Sequence, residues 1–287
     1  MMKKINDIIG DAKTIGIAGH VRPDGDCMGS CMSLYNYLKK NRPDLDVRVF
    51  LEFVDKKFNI IENTDQIITT GYDGTKFDLF ISLDTASLDR LGLNLPFYEN
   101  AKRTACIDHH ASNDGYADYN YILPKASSAS EVLYDLLDEN LIDKSIAEPM
   151  YMGIAHDSGV FRFQSTTPKT MRIAANMIEK GVNVNMILEE TFFRKTYNQM
   201  MVTAKIQSEA VLALDGKCIY GYCTSEMMEE YGVTTKDLDA VVASIRNVDG
   251  VEVAMFLYQL SEDSYKVSLR SKNYVDVSKI AVENGGG

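Results

Sequence analysis

Several features that would place this chain quickly are missing from it. None of its five cysteines (Cys27, Cys31, Cys106, Cys218, Cys223) forms a C-x-x-C pair, so neither a disulfide framework nor a thiolate-built structural zinc site is expected, and a reducing compartment suits the composition. No segment approaches the roughly 20 apolar residues of a membrane span. The opening MMKKINDIIGDAK carries charge throughout where a signal peptide would be apolar. The expectation is a cytoplasmic protein with no membrane partner. Basic residues are in deficit, 30 against 41 acidic, for a net charge of −11. The chain as a whole therefore repels the backbone of long nucleic acids, which speaks against a long duplex as partner and leaves short or locally held strands. Repeats and low-complexity tracts are absent apart from the terminal NGGG. Histidine is scarce, with four in the whole chain.

What is present is enough for a folded core, since 45% of the 287 residues are hydrophobic. The first 160 residues alternate short apolar runs with helical patterns, as βα units with a largely parallel sheet do. Strands are predicted at TIGIAG (14–19), DVRVFL (46–51), DLFISLD (78–84) and RTACID (103–108). A helix is predicted over 27–40, where Met28, Met32, Leu34, Tyr35 and Leu38 recur at helical spacing. Ser128 to Glu131 has the capping-box pattern, and Thr167-Pro168 reads as a cap before a proline at the first helical position. Residues 183–213 read as helical. A strand KCIYGYC (217–223), a polar helical stretch (225–243) and a hairpin of 251–260 with 265–271 follow. These make a second, smaller α/β domain.

Four segments carry histidine or aspartate where chemistry is expected. Gly19-His20-Val-Arg-Pro-Asp24-Gly-Asp26 directly follows a strand, where ligands of open α/β sheets collect. The plain alternative is a tight turn in which Asp26 caps the next helix. Asp84 ends the apolar strand DLFISL, a place where helix-capping aspartates are also common. Asp108-His109-His110 again ends a strand. Adjacent side chains diverge, so its two histidines are expected to do different jobs, one on a metal and one toward substrate. His156-Asp157, in GIAHDSG, is unpersuasive as a lone pair. The combination is more telling, because all four histidines fall in these aspartate-bearing segments. Imidazoles among carboxylates form a mixed nitrogen and oxygen environment, which suits Mn²⁺ better than a pure oxygen cage for Mg²⁺ or Ca²⁺.

H-V-R-P-D-G-D, the strand-end Asp84, D-H-H and G-I-A-H-D-S-G resemble, in order and spacing, the four motifs of the DHH phosphoesterases. V-S-L-R-S-K at 267–272, V-D-V-S-K-I-A and the terminal glycines are similar to the accessory DHHA1 domain. By size and by both domains the resemblance is to the nanoRNase and pAp phosphatase group. It implies an α/β fold with a DHH metal-binding catalytic domain at 1–190, whose mainly parallel sheet is flanked by helices. A helical connector would occupy 191–213, and a DHHA1 substrate-binding domain 214–287. It implies two divalent metal ions, Mn²⁺ by expectation with Mg²⁺ or Co²⁺ as alternatives. His20 and Asp24 would hold one, Asp26, His109 and Asp157 the other, and Asp84 would bridge both. Two such cations, about 3.5–4 Å apart, lower the pKa of a shared water that attacks the phosphate. His110 would face the phosphate, with Asp108 orienting a histidine behind the ligands. His156 keeps its plain reading as a local structural residue. Arg270 with Ser271 would grip a substrate phosphate from the second domain, and Arg246 is a weaker candidate.

The resemblance thus implies hydrolysis of short RNA and of small phosphorylated nucleotides such as pAp. A homodimer is allowed by it, although no apolar stripe in the sequence demands one. In the family the late glycine run is followed by a histidine and a further stretch that complete the pocket, whereas this sequence stops at Gly287. Either nucleotide recognition is weakened while metal binding survives, or the sequence is a piece of a longer chain. Rival readings within the same chemistry are a phosphodiesterase of pApA or a cyclic dinucleotide, and a family II inorganic pyrophosphatase. The last is disfavoured because S-L-R-S-K stands where that group has S-R-K-K-Q. A catalytically silent nucleotide-sensing module is the reading from another class.

Overall fold

The computed structural model describes residues 4–238 and 241–286. The chain divides into two compact units, 1–194 and 195–287. In the first, β1 (Thr14–Ala18), β2 (Asp46–Phe50), β3 (Leu79–Leu83), β4 (Thr104–Asp108) and β5 (Tyr119–Ile122) form one sheet in the order β2-β1-β3-β4-β5. Every pairing in it is parallel. All five residues of β3 are buried, because a parallel strand covered on both faces shows water neither side. This is why its sequence is a continuous apolar run. The expected strands lie within a residue or two of the observed ones. β5 was not expected, since its YNYI is half-exposed at the sheet edge and carries no apolar run.

The helices of this unit are α1 (Ile5–Ile9), α2 (Gly25–Asn41), α3 (Leu95–Glu99), α4 (Ala129–Leu136), α5 (Lys144–Asp157), α6 (Pro168–Glu179) and α7 (Val184–Leu188). Alternate residues of the strands go to opposite faces. Ile15, Ile17, Leu79, Ile81 and Ile107 pack into one core with Met28 and Leu34 of α2, Val132 of α4 and Met150 and Ile154 of α5. Phe50, Phe77, Phe80 and Phe97 form an aromatic cluster on the other face, with Phe50 and Phe97 centroids 4.3 Å apart. Ser128 caps α4 by accepting from the Glu131 N–H, but the capping box is only half formed. The Glu131 carboxylate instead takes the Ser127 and Thr170 hydroxyls. Thr167 caps α6 as expected.

The second unit holds α8 (Tyr197–Glu209), β6 (Val211–Ala213), β7 (Cys218–Cys223), α9 (Ser225–Tyr231), α10 (Val241–Arg246), β8 (Val253–Ser261), β9 (Ser264–Ser271) and α11 (Val277–Glu283). Its sheet runs β6-β7-β8-β9, with β7 and β8 parallel and the outer pairings antiparallel. In the span expected to be a connector, Val202 and Ile206 of α8 enter this unit's core beside Ile219, Ile245 and Phe256. The helical stretch expected over 225–243 is broken. Gly232, at φ +60°, ends α9 in the left-handed conformation that glycine adopts without a Cβ clash. Asp239 and Ala240 of that stretch, and Gly287, lie outside the described residues. Among the described residues no helix is long and apolar enough to cross a membrane.

Candidate metal centre

The strand order of the first sheet reverses direction between β1 and β3, and a crevice opens at the carboxyl ends of strands at such a point. His20 lies two residues past β1, Asp84 directly follows β3, and Asp108 ends β4 with His109 next. Asp84 takes φ +52°, a left-handed conformation unusual outside glycine. Its N–H is held by the Ile107 carbonyl at 3.1 Å. Buried to 3% exposure, its carboxylate presents one oxygen to each side. Oδ2 lies 3.5 Å from His20 Nε2, and Oδ1 lies 3.5 Å from His109 Nε2.

Around that aspartate the donors fall into two main sets, His20 with Asp24 and Asp84, and Asp26 with His109 and Asp157. Asp84, His109 and His110 form a third group that overlaps both, and donor atoms within each group lie within 4.8 Å of one another. Asp24 is also the N-cap of α2, accepting from the Asp26 and Cys27 N–H groups at 3.0 and 3.1 Å. The capping alternative weighed for Asp26 therefore belongs to Asp24. Asp26 does something else. Its two oxygens accept from the Ala129 and Ser130 N–H groups at 2.6 and 3.0 Å, at the N-terminus of α4. Gly153 makes room for this, because a Cβ there would come within 2.7 Å of Asp26 Oδ1. Asp157 ends α5 and places Oδ2 3.2 Å from His109 Nε2.

The electrostatics of the cluster call for positive charge. Burial raises the Asp157 carboxyl to about 7, with Asp84 and Asp24 adding to the shift against the pull of His109. Burial and the facing Asp84 and Asp157 push Asp26 up as well. Burial disfavours a charged His109, yet the surrounding aspartates raise it to about 10. Carboxylates that resist ionising together, and histidines that gain protons, form a set a divalent cation would satisfy. The mixed imidazole and carboxylate donors fit such an ion.

The remaining residues are held behind or beside these donors. Asp108, fully buried, accepts from His110 Nδ1 at 2.8 Å and from Asn113 Nδ2 at 2.7 Å. Burial opposes its charge, but these bonds hold the carboxyl below its ordinary range. His110 thereby carries its hydrogen on Nδ1 and leaves Nε2 free. His110 Nδ1 also falls 3.7 Å from Asp84 Oδ1; its bond to Asp108 leaves that nitrogen no lone pair to ligate. His156 belongs to neither set. Its ring lies where a side chain on Gly25 would be, stands edge-on to Phe192, and has Nε2 2.9 Å from Thr191 Oγ1. Burial pulls its pKa down to about 4. Just beyond Asp157 the chain reverses through three consecutive left-handed residues, Gly159, Val160 and Phe161, at φ +58°, +56° and +61°.

In the second unit Arg270 is exposed on β9 and donates to the Leu269 carbonyl at 2.9 Å. Arg246 of α10 donates to the Ser271 carbonyl at 3.2 Å. Sequence reasoning missed Asn113, although it lies five residues past Asp108. It also missed Thr191, which nothing in the sequence marks.

Residues 14–154 match the N-terminal domain of the DHH family, and residues 215–287 match the DHHA1 domain. The bifunctional oligoribonuclease and PAP phosphatase of Thermus thermophilus is 31% identical over 283 residues, covering 95% of this chain and 81% of that protein. This chain belongs to the DHH/DHHA1 family of phosphoesterases. Another relative, the bifunctional oligoribonuclease and PAP phosphatase of Bacillus subtilis, is 27% identical over 96% of this chain and 86% of its own. A solved exopolyphosphatase-related protein from Bacteroides fragilis has the same fold, with a TM-score of 0.89 at 23% identity over 99% of this chain and 87% of that one. The DHH match spans β1 to the last turn of α5 and so takes in every donor except Asp157.

Proposed function

We propose that this DHH phosphoesterase uses two divalent metal ions to hydrolyse short oligoribonucleotides and 3′,5′-bisphosphonucleotides such as pAp. The observation that carries the reading is Asp84, whose two carboxylate oxygens face histidines of two separate donor sets. His20, Asp24 and Asp84 would hold one ion, and Asp26, His109, Asp157 and Asp84 the other. Mn²⁺ suits these donors, with Mg²⁺ or Co²⁺ as alternatives. Bound there, such ions neutralise phosphoryl oxygens and acidify water. His110 works from the same side. With Nδ1–H committed to Asp108, its Nε2 is the ring atom that can hold a proton toward the leaving oxygen. Arg270 and Ser271 are the substrate-phosphate residues of the second unit, a role suited to an exposed guanidinium fork. The substrate class rests on the Thermus and Bacillus relatives, which carry both activities in their descriptions. The net charge of −11 supports short substrates over long duplexes.

The test is a hydrolysis panel with Mn²⁺ that includes pAp, pApA, a cyclic dinucleotide, a five-nucleotide RNA, a long RNA and pyrophosphate. Turnover of pAp and the five-nucleotide RNA, with little on the long RNA, is expected. Turnover of pyrophosphate alone sinks the nuclease reading, and no turnover at all favours a nucleotide sensor.

A further inference from the structure

Arg90 sits in the helical turns Leu88–Asn94 that follow β3, and its backbone is tied to the loop carrying His20. Its carbonyl accepts from the Val21 N–H at 2.7 Å, and its own N–H reaches the Ser87 carbonyl at 3.1 Å. The guanidinium approaches the imidazole of His20, with Nη2 3.4 Å from Nδ1. This is not a hydrogen bond. The Val21 carbonyl, 2.7 Å from Nδ1, can only accept, so Nδ1 carries the hydrogen and donates it there. Arginine has donors alone, and two donors facing each other gain nothing. Among the described residues, no carboxylate comes within ion-pair distance of Arg90. The acids nearest this ring, Asp24 and Asp84, lie against its other nitrogen. A cation is thus held at the edge of the candidate metal centre, exposed to solvent and without an acceptor.

We infer that Arg90 binds a phosphoryl oxygen of the substrate on the His20 side of the centre, which gives the first unit its own anion grip. The inference rests on the phosphoesterase reading above and deepens it. A guanidinium offers paired donors that match two oxygens of one phosphate, and no protein acceptor has to be given up when it binds. The competing role is purely positional, with Arg90 packing on His20 to steady a metal ligand. The two roles differ in what they move.

The experiment uses the full chain and inorganic phosphate as probe, measured by calorimetry at saturating Mn²⁺, beside a separate Mn²⁺ titration. Arg90→Ala is expected to weaken phosphate binding about tenfold, the size of one lost charge-assisted contact. KM for pAp should rise in parallel and Mn²⁺ affinity stay within about twofold. Arg90→Lys, which keeps the charge and loses the fork, should fall between. Arg172→Ala, an exposed arginine of α6, should change nothing. Unchanged phosphate binding in Arg90→Ala overturns the inference, as does wild-type protein that binds no phosphate. So does a loss of Mn²⁺ affinity with phosphate binding restored at saturating metal, which marks a positioning role. If phosphate binding weakens as expected but no ester in the panel is hydrolysed, the functional reading fails and Arg90 stands as an anion-binding residue.

Discussion

In the first unit the candidate carboxylates Asp26 and Asp108 are each pinned by two hydrogen bonds, whereas the arginine candidates of the second unit, Arg246 and Arg270, each donate to a single carbonyl. Asp26 is held by two N–H groups of α4, and Asp108 by His110 and Asn113. Arg270 is exposed and reaches only the carbonyl of the residue before it. Fixed donors suit chemistry, which needs its groups in place before the substrate arrives. A loosely held guanidinium suits recognition, where the ligand supplies the missing order. On this contrast, damage to the pinned donors of the first unit should appear in kcat, and damage to the exposed arginines, Arg90 as well as Arg270, in KM.

The largest effect should come from Asp84→Ala. Turnover is expected to fall about a thousandfold or more while circular dichroism shows the fold retained. Substantial Mn²⁺-dependent activity in that folded variant would refute the assignment of the site. Next comes Asp108→Asn, in which an amide can turn its NH₂ toward His110 and favour the wrong tautomer. A kcat reduced about 10- to 100-fold, with Mn²⁺ half-saturation nearly unchanged, is expected, and steady-state kinetics across a metal titration reads both. Arg270→Ala should raise KM for pAp about tenfold with kcat within twofold. An equal fall in kcat would erase the contrast between the units.

The smallest effect on catalysis, none, is expected of Glu252→Gln. Glu252 is buried and accepts from the N–H groups of Asn273, Tyr274 and Val275. Burial alone would raise its pKa, but these bonds lower it from the ordinary 4.5 to about 2. A depressed folded-state value means that its stabilisation is full above about pH 4.5 and fades as pH falls toward 2. The variant should therefore melt about 5 °C lower at pH 7, and the gap to the wild type should close in acid. A gap that stays constant between pH 7 and pH 3 would remove the carboxylate from the account.

How much of this was legible in the sequence follows from where each contact originates. β1, β3 and β4 are buried on both faces, so their apolar runs could be read, and with them the residues at their carboxyl ends. Asp24, Asp26, Asp84 and His109 stand in segments that this made visible, but their roles as ligands came from the resemblance to the DHH motifs. The role of the α4 N-terminus could not be read, because Asp26 meets Ala129 across 103 positions. Asn113 and Thr191 were missed for a related reason. An amide or hydroxyl that steadies a charged neighbour has no periodicity and no unusual composition. β5 escaped because its four residues carry no apolar run, and β6 because its three apolar residues directly follow α8 and read as the end of the helical stretch.

The reversal after Asp157 has a consequence for how this protein would respond to selection. Val160 and Phe161 are a β-branched and an aromatic residue in a conformation that costs such side chains on the order of 1–3 kcal/mol each. A screen for heat resistance would thus be drawn to these positions, since glycine or asparagine there relieves the strain. It would then slacken the turn that directly follows Asp157, and survivors would trade turnover for endurance at a place no metal-ligand motif marks.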